Sequence, residues 1–357
     1  MSKLNLFLFF CLVTLTLSNV MAAKEEYVIK YGHAALADPL AQSSPAYALV
    51  FKTQLEKLSG GRIRVDVYPN GQLGNLRSLV QQVRKGTIQM ADISSGIMAS
   101  LYYPQLEILD MPYVFSSRVT ARMVLDTENP FTKKLVEDCA EKTGIRILSL
   151  PPFGFRHMTN NVREIRKPDD LKGLKMRTME VVPHRKLMEL YGAAPLPIPW
   201  LELYTSLQTK VVDGEEQTLQ NIVMGKLYQV QKYLSLTQHV MGVGGYLCNE
   251  KFYQSLPDEL KRALIEAEKI ARLTYEGYGE LLDTLALERL KSHGMQIYVP
   301  TPQELKIFKD RAFPEIRKWM EKKYGKKLVT EFLEAIDEAE KKLNKQMEST
   351  KKQKKQK

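Results

Sequence analysis

The sequence predicts a two-lobed α/β protein. Three observations carry that expectation. Strand and helix patterns alternate from residue 27 onward. About 330 residues follow an N-terminal export signal, enough for two cores. One uninterrupted helical pattern is longer than a single lobe of that size.

The signal occupies residues 1–23. Lys3 precedes an uncharged stretch rich in Leu and Phe from Leu6 to Leu17, followed by Val20-Met21-Ala22-Ala23 and the charged Lys24-Glu25-Glu26. A basic start, a short apolar core and small residues at the exit define a secretory signal, cleaved after Ala22 or Ala23. The apolar core is about a dozen residues, short of the ~20 that span a bilayer. Phe10 before Cys11 does not suit a lipidation site.

In the mature chain, 27–31 reads as a strand and 47–58 as a helix stopped by Gly60-Gly61. Residues 63–68 form a strand, 76–84 a helix and 88–93 a strand, and a helical region leads to a strand at 145–150. The pattern resumes with a strand at 174–177, helices at 184–191 and 203–209, and a short strand at Val211-Val212. This alternation favours mainly parallel strands. Leu79 to Ile88 and Leu203 to Val212 share a helix–turn–strand template, which fits two lobes built alike or a chance similarity.

After Pro257 no proline interrupts the chain to His293, and Leu260, Leu264, Ala267, Ala271, Tyr275, Tyr278, Leu282 and Leu285 recur at helical spacing. As one helix this stretch reaches roughly 55 Å. It is therefore expected to lie across both lobes as a spine over 257–293, bending near Gly277 and Gly279; two separate helices are the alternative. Gly294 ends it, 295–299 reads as a strand, and Thr301-Pro302-Gln303-Glu304 makes a capping box for another helix. The first lobe is assigned 24–150 with about 236–270. The second takes 151–235 with part of the C-terminal region, and crossings are expected near Leu150 and 234–239.

The formal net charge is +11, but +7 of it lies in 341–357 and one unit on Lys3, leaving +3 for the rest. The terminal Lys/Gln tract reads as a basic disordered tail rather than a nucleic-acid surface. Cys139 and Cys248, left after the signal, read as unpaired, partly buried thiols. The five histidines, His33, His157, His184, His239 and His293, form no HExxH pair. CxxC and GxSxG are missing, and Gly242-Val243-Gly244-Gly245 lacks the third glycine of a dinucleotide fingerprint. No metal, cofactor or reaction is indicated, so the chain reads as a binding protein rather than an enzyme.

Arg156 lies among Phe153, Phe155, Thr159 and Asn160. Arg177 ends the strand at 174–177, and ligands of open α/β sheets collect at such carboxyl ends. A guanidinium matches a carboxylate in a two-pronged fork that lysine cannot copy.

Gln72-Leu73-Gly74, Gly154-Phe155-Arg156, Leu171 to Arg177, Leu203 to Thr209 and Val212-Asp213-Gly214-Glu215-Glu216 occur in order. With that spacing, the chain from about Tyr27 to Tyr253 resembles the DctP-type solute-binding proteins of tripartite ATP-independent periplasmic (TRAP) transporters. The resemblance implies a periplasmic binding-protein fold, with a mixed sheet in each lobe and a long helix spanning both. It implies a monomeric periplasmic receptor that passes a small carboxylate to the transporter's membrane subunits; a sensor coupled to a membrane signalling protein is the alternative. Arg177 is then the principal carboxylate clamp and Arg156 the second arginine. Gln217 stands where many members have Asn, Trp200 packs on the ligand, and Ser94 and His33 are first-lobe contacts. Glu216 reads as a partner for an arginine, and His184 and His239 as structural. His157 should face away if its segment is extended. Glu215 and Gln217 depart from the family's usual amide and Asn. Ser94 is short and neutral, which leaves nothing there for an amino group and favours a mono- or dicarboxylate, hydroxy, keto or sugar acids included.

Overall fold

A computed structural model describes residues 26–355, with side chains through Ser349; the expected signal lies outside them. The chain runs β1 (Tyr27–Gly32), α1 (Ser43–Leu58), β2 (Ile63–Tyr68), α2 (Leu76–Lys85), β3 (Met90–Ser94), α3 (Ser95–Leu101), α4 (Arg118–Leu125), α5 (Pro130–Thr143), β4 (Ile145–Ser149) and β5 (Pro152–Asn160). It continues through β6 (Lys175–Thr178), α6 (Val182–Leu190), β7 (Ala194–Pro197), α7 (Leu203–Gln208), β8 (Gly214–Thr218), α8 (Leu219–Met224), β9 (Tyr233–Ser235) and β10 (Met241–Asn249). It closes with α9 (Glu250–Ser255), α10 (Asp258–Ser292), β11 (Gln296–Tyr298), α11 (Pro302–Tyr324) and α12 (Lys326–Lys355).

Each lobe holds a mixed sheet. In the first, β1 is parallel to β2 and β3, and β10 is antiparallel to β3 and β4. In the second, β6 is parallel to β7 and β8, while β5 is antiparallel to β8 and β9. The lobes are joined by strands rather than loops: Met241 and Gly242 of β10 pair with Phe155 and Gly154 of β5. The glycines of β10 lower its strand propensity, so 241–249 does not announce itself in the sequence. They are needed for close approach. A Cβ on Gly242 would lie 2.5 Å from the Phe153 ring.

The long helix is a single element of 35 residues, unbroken through Gly277 and Gly279 and about 52 Å long. Leu260, Leu264, Ala271 and Tyr275 pack with Ile29, Phe51 and Tyr246 of the first lobe, and Ala286 and Leu290 with Leu203 and Ile222 of the second. Helix α11 crosses too: Phe308 and Ala312 are buried with Met176 and Leu187, and Ile316 and Met320 with first-lobe residues. The Thr301–Glu304 capping box is present at its start.

Two expectations need correction. Val211-Val212 is not a strand. Lys210 turns the chain at φ 60°, and pairing begins at Gly214. The lysine-rich end is not unstructured, because α12 continues through it to Lys355. Val329, Phe332 and Ile336 anchor that helix in the first-lobe core, with Phe332 against the Phe115 and Phe131 rings. Cys139 and Cys248 are both buried and free, and burial pushes each thiol up to about 12.

Gly214 starts the strand that carries Glu215, Glu216 and Gln217, and a Cβ there would lie 2.1 Å from the Thr159 carbonyl oxygen. Gly214→Ala must push β8 off β5. It should destabilise the protein by about 1–3 kcal/mol, read by denaturant unfolding.

Candidate ligand-binding cleft

A cavity of about 140 Å³ lies between the lobes. An apolar cavity of about 150 Å³ holds benzene, so this one suits a small molecule. Its walls come from the ends of β3, β6 and β8, the starts of α1 and α8, and the segment 198–201. The lobes touch across its mouth. The Ser43 hydroxyl donates to Gln220 Oε1 at 2.9 Å, Arg77 lies 3.7 Å from Glu180, and Leu201 packs against Gly71.

Arg177, the third residue of β6, lines the cavity and is 2 % exposed. Its Nε donates to the Ile198 carbonyl at 2.9 Å, while Nη1 is buried without a partner. Burial lowers its pKa to about 10, so the guanidinium stays charged at neutral pH. A buried cation with an empty donor is costly unless something anionic reaches it.

Arg156 lines the same cavity, yet all three of its nitrogens already donate within the protein. Nε bonds the Glu216 carboxylate, Nη2 the Glu216 carbonyl, and Nη1 bonds Gln217 Oε1 at 2.9 Å. Its expected role as a clamp shifts towards holding Gln217. The Gln217 oxygen also accepts from Thr218 N at 3.0 Å and Asn221 Nδ2 at 3.2 Å. Three donors on that oxygen leave the Gln217 NH₂ as the group free for a ligand.

Glu216 is the knot of this wall. His184 Nδ1 meets it at 3.0 Å and His239 Nε2 at 3.4 Å; His184 Nε2 reaches Asp110 at 3.0 Å. Burial alone would raise the Glu216 carboxyl, but Arg156 and His184 hold it well below the usual range. Burial alone would lower His184, but Glu216 and Asp110 raise it to about 9. Glu215 accepts from Thr159 at 2.9 Å, and burial with the neighbouring Glu216 charge pushes it to about 7.

Trp200 and Ser94 line the cavity, Trp200 half-buried and Ser94 with no capping bond to α3. His33 does not. Its ring is buried against Tyr31, and desolvation lowers its pKa to about 4. His157 turns away, its Nδ1 accepting from Gln238 N at 3.3 Å. The sequence reading missed Asp92, Gln42, Ser44 and Asn221, all of which line the cavity. A charged residue inside an otherwise apolar strand was the available signal for Asp92. Among the described residues, no group of three or more His, Cys, Asp or Glu side chains is arranged to hold a metal ion.

Two α/β lobes joined by strands and a spine helix, closing on an unpaired arginine, define the class of extracellular solute-binding proteins. Residues 37–323 match the family "Bacterial extracellular solute-binding protein, family 7", the DctP family, and the chain belongs to it. A solute-binding protein of Verminephrobacter eiseniae is 35% identical over 69% of this chain and 72% of its own. The sugar acid binding protein of Advenella mimigardefordensis, in complex with galactonate, superposes with a TM-score of 0.83 at 28% identity, covering 88% of this chain and 99% of that one. A TRAP periplasmic solute-binding protein of Bordetella bronchispeptica, with density assigned to pantoate, gives 0.80 at 31% over 87% and 99%. A third, from Sulfurospirillum deleyianum with bound succinate, gives 0.79 at 26% over 86% and 98%.

Two contrasts test this wall. Arg156→Met takes the permanent cation away from buried Glu216 and should cost about 3–5 kcal/mol of stability, whereas Arg177→Met should cost less than about 1 kcal/mol, both measured by denaturant unfolding without ligand. The His184 contribution is full below its ordinary pKa of 6.5 and is lost as pH rises through about 9. Thermal midpoints across that window should fall less steeply in His184→Gln than in the parent.

Proposed function

We propose that this protein is a periplasmic receptor that captures a small organic carboxylate between its lobes and delivers it to the membrane subunits of a TRAP transporter for ion-coupled uptake. One observation carries the reading: a buried guanidinium on the cavity wall has an unused donor, beside an amide whose oxygen is already taken. Arg177 Nη1 and the Gln217 NH₂ then meet the carboxylate oxygens. Arg156 keeps Gln217 in place, Trp200 covers the ligand's apolar face, and Ser94 closes from the first lobe. The acids named for the solved relatives, galactonate, pantoate and succinate, support that ligand class.

In this reading the ligand selects the closed form because only closure brings both walls to it, a hinge-driven population shift. The protein binds without turning its ligand over, acts as a monomer, and reaches the periplasm through the signal at 1–23. No described helix is long and apolar enough to cross a membrane.

The test is calorimetry against galactonate, pantoate and succinate. A charge-assisted hydrogen bond is worth about 1.5–3 kcal/mol, so losing the one from Arg177 Nη1 should weaken the best of these acids at least about 10-fold in Arg177→Ala. Arg177→Lys should keep a remnant. Near-parent affinity in Arg177→Ala would refute the reading.

A further inference from the structure

The donors on the second-lobe wall meet a carboxylate, but the first-lobe wall has the opposite polarity. Asp92, in the middle of β3, lines the cavity, and its Oδ2 accepts from the Ser44 hydroxyl. Among the described residues no lysine, arginine or histidine is paired with it. Burial pushes its pKa up to about 7 against the opposing Ser44 bond. Gln42, just before α1, is 5 % exposed, lines the same cavity and has no partner for Oε1.

The groups packed around Asp92 give it no counter-charge. Tyr246 is its cross-strand neighbour on β10; Tyr31 comes from β1, Tyr47 from α1 and Tyr275 from α10. All four phenols are raised, by burial first and with the Asp92 charge adding. The Tyr31, Tyr47 and Tyr246 hydroxyls have no hydrogen-bond partner. The cavity thus joins an arginine and an amide NH₂ on one wall to a carboxylate and an amide oxygen on the other.

We propose that Asp92 and Gln42 form a second subsite, which accepts a hydrogen-bond donor, hydroxyl or ammonium, from the ligand's end remote from its carboxylate. The subsite rests on the carboxylate reading above. It narrows the ligand class to acids carrying such a donor and turns away plain dicarboxylates. A second carboxylate has no proton to give, and in a desolvated cleft it would face the Asp92 charge directly.

The experiment is calorimetry at about pH 8, where Asp92 is mostly ionised, on the full mature chain with four probes. Galactonate and pantoate supply hydroxyls, 4-aminobutyrate an ammonium, and succinate acceptors alone. At least one donor-bearing acid should bind about tenfold or more tighter than succinate. Whether hydroxyl or ammonium acids lead says which donor the subsite takes. Asp92→Asn should reduce that preference about tenfold while leaving succinate unchanged or tighter. Gln42→Leu, which leaves the Asp92 charge in place, should erode it in the same direction and covers the case in which Asp92→Asn does not fold. Succinate binding as well as the donor-bearing acids, or a preference unchanged in the folded variants, would overturn the subsite while leaving the carboxylate reading intact. Binding of no probe, or binding indifferent to Arg177→Ala, would instead sink the carboxylate reading and the subsite with it.

Discussion

The cleft depends on one buried carboxylate being fully occupied. Glu216 takes Arg156, His184 and His239 at once, so it is not available to Arg177. Glu216 is thus spent within the protein, and Arg177 keeps Nη1 without a partner. The same knot fixes Arg156, which turns the Gln217 oxygen inward. Binding geometry is therefore set by protein–protein ion pairs one layer behind the cavity, where desolvation makes them strong and their disruption costly.

Much of the architecture was legible because it follows from periodicity. The spacing from Leu260 to Leu285 located the spine helix, and its length alone required it to serve two cores. The template shared by Leu79–Ile88 and Leu203–Val212 reflects a real parallel. Gly86 and Lys210 occupy matching left-handed turns at φ 77° and 60°, each leading into a cavity-lining strand. What escaped the sequence were features set by partners distant along the chain. The glycine-rich 241–249 is a strand because β3, β4 and β5, distant along the chain, pair with it. The polar terminal tract is helical in continuation of a segment anchored by Phe332.

The candidate site divides the same way. Arg177 was readable from its position at a strand end, and Glu216 as a partner for an arginine. Arg156 proved harder, since the sequence cannot say whether a basic side chain is already occupied. His33 was misplaced because the residue after a strand can turn to either side, and here the ring packs beside Tyr31. Asp92 was passed over in favour of Ser94, two positions further along the same face of β3. Both reach the cavity.

The way the chain threads between lobes also bears on how it can fold. The first-lobe core joins Leu79, Leu106 and Ile147 to Ile316, Met320, Phe332 and Ile336. The second-lobe core likewise waits for Ala286, Leu290, Phe308 and Ala312. Neither half can therefore finish before the last helices arrive, and no N-terminal fragment contains a complete hydrophobic interior. Such non-local closure slows folding, and it keeps the nascent polypeptide loose until its synthesis is nearly done.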